Sequence, residues 1–338
     1  MSFQSLTTPL PIQVLQVYAG DTFCVTDGVN RGDAISAAGE LELEDIYQLA
    51  ANTSQKRLAI ATNEETGGFV IAAGSELGRP GAALYLDSLV TFMGALGSTD
   101  EALVLVETDA QTGMIARTYL HPLSPLAEKT GYTLVTVDRD AARARLAQSA
   151  CVSFTRGTAI TLADGRQMPV EDLRPGMRVL TKDSGPQELR WIGAQTVRAT
   201  GAFAPIVIAA GALNNTGELT VSPNHRLFIY QRIDTVGAGQ NEVLVKARHL
   251  LNGSTVVTAE GGFVDYFQLL FDKHEIIFAE GIASESLFVD TTTRPIVPAE
   301  VQKRLKSDAK PIRSGYELKA ADLVAKDSVE RLRQASFG

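Results

Sequence analysis

The chain has 338 residues, 45% of them hydrophobic and 21% charged, and carries a net charge of −8. At roughly 150 residues per domain this length implies two domains, and the hydrophobic content excludes wholesale disorder. The acidic balance argues against nucleic acid as a partner, and two cysteines, Cys24 and Cys151, are too few for a disulfide framework or a thiolate zinc site. No apolar run reaches the ~18 residues of a membrane span; 82–96 comes nearest and is broken by Asp87. Met1-Ser2-Phe3-Gln4-Ser5 lacks the basic region and apolar stretch of a signal peptide. The location expected is therefore cytoplasmic, with export by a leaderless route as the alternative.

From residue 1 to 137, short β-rich runs recur at 12–18, 23–26, 58–62, 69–73, 103–106 and 132–137. Asp27-Gly28, Thr66-Gly67-Gly68 and Gly78-Arg79-Pro80-Gly81 supply turns between them. This spacing predicts an acidic N-terminal β-domain, a sandwich or barrel, whose role is open. Asp27-Gly28-Val29-Asn30-Arg31-Gly32-Asp33 has the outline of a calcium loop. It lacks the alternating acidic ligands and terminal Glu of an EF-hand, so ordinary turns are expected.

Residues 138–150 are rich in Ala and Arg and predict a short helical connector with Asp138 or Asp140 as N-cap. Residues 151–290 return to β-rich runs, at 158–162, 178–181, 206–209, 219–221, 226–230, 242–246, 255–258 and 275–278, with one further helical turn near 247–251. Residues 291–338 are basic and read as a short helical tail. Pro298-Ala299-Glu300 opens one segment, and 317–334 sets Leu318, Ala321, Val324 and Leu332 on one side, as a surface tail or packing arm. The fold class expected is mainly β.

Four features of the middle segment carry chemistry. The first is Phe154-Thr155-Arg156-Gly157-Thr158 with Val170-Glu171-Asp172-Leu173-Arg174-Pro175-Gly176 behind it. The second is Trp191-Ile192-Gly193, and the third is Leu219-Thr220-Val221-Ser222-Pro223-Asn224-His225. The fourth runs from Val264 through Phe271-Asp272-Lys273-His274 to Glu280-Gly281-Ile282. In this order and spacing they resemble the Hint domain shared by Hedgehog C-terminal domains and inteins, and most of all its bacterial form. The resemblance covers about residues 151–290, under half of the chain.

The resemblance implies a horseshoe-like all-β fold of two pseudo-symmetric halves. It also implies autoproteolysis. A Cys or Ser at the domain's first residue attacks the preceding peptide carbonyl and makes a thioester or ester. A His in a Ser/Thr-x-x-His motif helps protonate the departing nitrogen, and a second nucleophile resolves the ester. The residue types suit the task. An amide leaves only once its nitrogen is protonated, an imidazole titrating near ~6.5 can serve at neutral pH, and a tethered nucleophile has proximity in place of concentration.

In this sequence the motif supplies His225 as proton donor with Ser222 beside it. Counting back from Gly157-Thr158 through Phe154 places Ser153 at the nucleophile position. Chemistry favours Cys151, whose thiolate is the better nucleophile. On an extended segment both face one side, about 7 Å apart, and both remain candidates. Asp272 and His274 match the Asp/His region before the terminal motif and are accessory candidates, with Asp272 orienting His274 or pairing with Lys273. Where His-Asn usually ends the domain, this chain has Glu285-Ser286, so no Asn can cyclise and full splicing is not expected. No acidic residue clearly matches the base of Hedgehog-type sterol transfer, so the acceptor expected is water or another small molecule and not cholesterol.

The remaining candidates have simpler readings. Cys24 reads as buried and inert, His121 and His249 as surface or structural residues, and Trp191 as a sheet-corner side chain with Arg190 lying alongside. No metal-ligand spacing and no phosphate loop is present, with Gly237-Ala238-Gly239 in a polar hairpin tip, so neither metal nor cofactor is expected. Two rivals stand beside self-processing: a Hint fold kept as an inert scaffold or interaction module, and an amidase that turns over other chains.

Overall fold

The computed structural model describes residues 12–63, 68–94, 97–232, 241–290, 293–303 and 328–335. The N-terminal residues 1–5, the turn at Thr66-Gly67, the hairpin tip at Gly237-Ala238-Gly239 and the stretch 317–327 of the tail lie outside the described residues. The chain divides into two compact units, Met1–Leu146 and Ala147–Gly338. Both are mainly β.

In the first unit the strands are β1 (Ile12–Ala19), β2 (Phe23–Asp27), β3 (Ile46–Leu49), β4 (Lys56–Thr62), β5 (Phe69–Ile71), β6 (Ala83–Met93), β7 (Thr99–Thr108), β8 (Ile115–Pro122) and β9 (Gly131–Asp138). The order β6-β5-β4-β1-β8-β7 closes on itself through β6–β7 pairing, so six strands form a barrel. One edge of β6 pairs with β5 at Ala83 and Leu84 and with β9 from Leu89 to Met93, and β3 and β2 continue outward from β9. Phe23, Tyr47, Phe92 and Tyr132 make an aromatic cluster, with Phe23 stacked on Tyr47 and edge-on to Phe92, both at 5.3 Å. The Asp27–Asp33 loop is a turn held by its amides. Val29 N and Asn30 N donate to the buried Asp45 carboxylate at 2.6 and 3.3 Å.

Helix α1 (Ala141–Ala150) follows, capped by Asp138 Oδ1, which accepts from the amides of Asp140 and Ala141 at 2.9 Å each.

The second unit holds β10 (Phe154–Thr155), β11 (Ala159–Thr161), β12 (Gln167–Pro169), β13 (Arg178–Thr181), β14 (Gly185–Glu188), β15 (Trp191–Arg198), β16 (Ile206–Ile208), β17 (Leu219–Val221), β18 (Arg226–Tyr230), β19 (Glu242–Lys246), β20 (Val256–Thr258), β21 (Phe263–Leu270), β22 (Ile276–Ala279) and β23 (Ile282–Glu285). One sheet runs β15-β21-β10-β17-β16-β20. The other runs β12-β11-β22-β23-β18-β19, with β13 and β14 attached through β22. The main apolar core draws on both, from Phe154 and Ile160 to Leu269 and Ile277. Among the described residues two short helices follow, α2 (Ala299–Gln302) and α3 (Ser328–Ala335), and Val329 and Leu332 of α3 enter that core. Among the described residues no helix is long and apolar enough to cross a membrane.

Candidate functional site

The two-residue strand β10 sets the site. Phe154 pairs with Val221 of β17 on one side and Phe267 of β21 on the other, so the residue before it is fixed from both flanks. That residue, Ser153, is 1% exposed. Its hydroxyl accepts a hydrogen bond from Gln268 Nε2 on β21 at 2.9 Å, and its carbonyl accepts from the amide of Ser222 at 2.9 Å.

After β17 the chain turns tightly through Ser222-Pro223-Asn224-His225, closed by the His225 amide donating to the Ser222 carbonyl at 3.0 Å. The turn puts three side chains on the segment before β10. Ser222 Oγ accepts from the Ser153 amide at 3.0 Å and donates to the Cys151 carbonyl at 2.9 Å, so one hydroxyl spans both sides of Val152. Asn224 Nδ2 donates to the Ser149 carbonyl at 2.7 Å. His225 Nδ1 lies 3.2 Å from the Ser153 carbonyl. A carbonyl only accepts, so the ring carries its proton on Nδ1 and keeps a bare lone pair on Nε2. That Nε2 is buried and has no hydrogen-bond partner among the described residues. The imidazole therefore meets the carbonyl of Ser153, while the hydroxyl of Ser222 meets its nitrogen.

The expected titration of His225 near 6.5 needs correction. The ring is fully buried and packs edge-on to Phe154 at 4.5 Å. Burial lowers its pKa to about 4, against upward pulls from the Glu285 carboxylate and the Ser153 carbonyl, while Arg226 adds a downward push. At neutral pH the ring is neutral.

Cys151 lies apart from this polar set. Its side chain is 1% exposed in an apolar cluster with Val152, Leu270, Leu287 and Val297, and burial, then the charge of Asp290, pushes its thiol up. The bond it would attack joins it to Ala150, the last residue of α1. Asp272 forms a half-exposed ion pair with Arg190, with contacts of 2.9 and 2.8 Å. His274 is buried beside Phe288, and its Nε2 lies 3.5 Å from Glu285 Oε2.

Three residues of the site escaped the sequence reading. Glu285, at the end of β23, is 1% exposed and pairs with Arg226 at 3.0 Å. Burial pushes its carboxyl up, but Arg226, then His274 and His225, outweigh that and hold it below the usual range. Its signal was its place, where the terminal His-Asn was sought. Gln268 was visible as one polar residue inside Tyr266-Phe267-Gln268-Leu269-Leu270, and Asn224 as the unexplained member of its motif. Among the described residues no group of three or more His, Cys, Asp or Glu is placed to hold a metal ion.

Residues 152–291 match the family model of the Hint domain. This segment is a Hint domain. The chain is also similar to two solved structures. One is the Ssp DnaB mini-intein variant M86, 10% identical with a TM-score of 0.28 over 41% of this chain and 97% of that one. The other is a DnaB intein from Synechocystis sp. PCC 6803, 12% identical with a TM-score of 0.29 over 40% of this chain and 98% of that one. No curated protein matches the chain in sequence. The Hint domain so delimited opens one residue before Ser153 and takes in Ser222, His225, Gln268, His274 and Glu285.

Proposed function

We propose that the Hint domain cuts its own chain between Val152 and Ser153 by an N-to-O acyl shift, without splicing. Ser153 Oγ attacks the Val152 carbonyl carbon. The bond from that carbon to the Ser153 nitrogen breaks, an ester to Oγ forms, and one proton passes in net terms from the hydroxyl to the nitrogen. Water or another small nucleophile then resolves the ester, giving residues 1–152 and a fragment that begins at Ser153. The observation that carries this reading is the convergence of Gln268 on the Ser153 hydroxyl, Ser222 on its nitrogen and His225 on its carbonyl. Two of these contacts fall on the Ser153 atoms that react, the attacking oxygen and the departing nitrogen, and the third fixes the residue that carries them, which is the positioning an intramolecular transfer needs. Cys151 has none of them at its thiol and sits in an apolar nest, where a thiolate is disfavoured.

Roles follow from contact. Ser153 is the nucleophile. Ser222 is the group at the departing nitrogen, and His225 is a neutral ring that anchors the carbonyl and keeps a basic site open at Nε2. His274 acts at one remove, beside Glu285, and Asp272 serves the surface. A second reading, the Hint fold kept as an inert scaffold, is favoured by the closure of the site, where Ser153 and His225 are 1% and 0% exposed.

Intact mass of the purified protein, with and without hydroxylamine, decides between the two. Wild type and Cys151→Ala should yield the two fragments, Ser153→Ala none, and His225→Ala and Ser222→Ala far less. An intact chain in every case after long incubation leaves the scaffold reading standing.

A further inference from the structure

The residues on the acyl side of the Val152–Ser153 bond are held more closely than a linker requires. The Ser149 and Cys151 carbonyls are read by the side chains of Asn224 and Ser222, at 2.7 and 2.9 Å. The side chains of Cys151 and Val152, 1% and 8% exposed, sit in their own apolar nest, distinct from the main core of the unit. Leu270 and Leu287 belong to it, Trp191 packs against it, and so do Ile296, Val297 and Val301. Those last three lie beyond the end of the family match at residue 291. The segment that carries them is tied down by its own bonds. Thr293 N donates to Asp290 Oδ1 at 2.8 Å, Thr293 Oγ1 to the Phe288 carbonyl at 2.7 Å, and Gln302 Nε2 to the Val297 carbonyl at 2.5 Å.

Main-chain groups bound by hydrogen bonds, with apolar pockets for the side chains, are how an extended peptide is recognised. We infer that this nest is a peptide subsite whose ligand is the chain's own segment 149–152, a short apolar peptide ending in a β-branched residue. Residues 293–303 form one wall of it, and the fragment ending at Val152 stays bound there after cleavage. The last clause rests on the self-cleavage proposed above, whereas the subsite itself does not.

Cys151 is a built-in reporter. In a full-length chain carrying Cys24→Ser and Ser153→Ala, a maleimide reagent should label Cys151 slowly. Val297→Asp, or the milder Val301→Asp if the first fails to fold, should raise the rate about tenfold or more by opening the subsite alone. Circular dichroism and a cooperative thermal transition certify that the variant is folded. A folded wall variant that labels at the parent rate overturns the subsite. In the chain with Ser153 intact, the two fragments should co-elute on gel filtration and separate once the wall carries Val297→Asp. Parent fragments that separate unaided overturn retention. If no fragments form at all, it is self-cleavage that fails, and the labelling rates still decide the subsite.

Discussion

A histidine sealed from water leaves a mark on stability. His225 has a pKa lowered by burial to about 4, while an unfolded histidine titrates near ~6.5. Below the unfolded value the unfolded chain takes up a proton that the folded chain refuses. The contribution of His225 is therefore complete above about pH 6.5 and is lost as pH falls toward 4, by up to about 1.4 kcal/mol per pH unit. Urea unfolding at a series of pH values across that window should show a shallower loss in His225→Gln than in wild type. Equal slopes would mean that the ring takes up its proton in the folded state as readily as in the unfolded one. The same burial explains what the sequence could and could not disclose at this scale. The residue types of Ser153, Ser222 and His225 were legible as a motif. Which of Ser153 and Cys151 faces the polar atoms was not, because period-two alternation treats them alike. The difference arises only where Gln268 and Leu270, two residues apart on β21, offer a hydrogen bond to one and an apolar wall to the other.

The elements tell a similar story. Strands β13, β17, β18 and β19 were legible to the residue because turn signals bound them and their side chains are β-branched or large. Strand β10 was not, since two residues carry no periodicity and Phe154–Thr155 is a strand only because β17 and β21 flank it. Strand β6 read as a mere apolar run. It bulges between Leu86 and Ser88 against β7 and between Thr91 and Phe92 against β9, which breaks the alternation that would have announced a strand. β10 matters out of proportion to its length. Phe154 is 1% exposed, joins two strands and packs against the ring of His225. Phe154→Ala should cost about 3–5 kcal/mol, the range for a buried aromatic truncation, and slow any cleavage together with the stability loss. Denaturant titration checks the first and fragment yield the second. A loss under about 1 kcal/mol would show that β10 is held by its backbone pairing alone.

At the scale of the whole molecule, two mainly β units follow one another along the chain, with the division falling inside one helix. The spacing of its β-runs left a sandwich and a barrel both open for the first unit, because closure depends on β6 pairing with β7 as well as with β5 and β9. Closure has a thermodynamic consequence. A ring of six strands satisfies its own backbone groups and leaves no open edge within the ring. The cluster of Phe23, Tyr47, Phe92 and Tyr132 draws only on residues of that unit. The first unit should therefore be a folding unit in its own right, as a self-cleaving chain requires if its N-terminal product is to outlive the reaction. Expressed alone, residues 1–152 should give a β-type circular dichroism spectrum and one cooperative thermal transition. The apolar side chains of Cys151 and Val152, deprived of Leu270, Leu287 and Val297, should then be exposed, and the thiol of Cys151 should react about as fast as a free cysteine. A fragment that melts without cooperativity would mean that the barrel depends on the Hint domain. Cleavage would then leave an N-terminal product unable to keep its fold apart from the Hint domain.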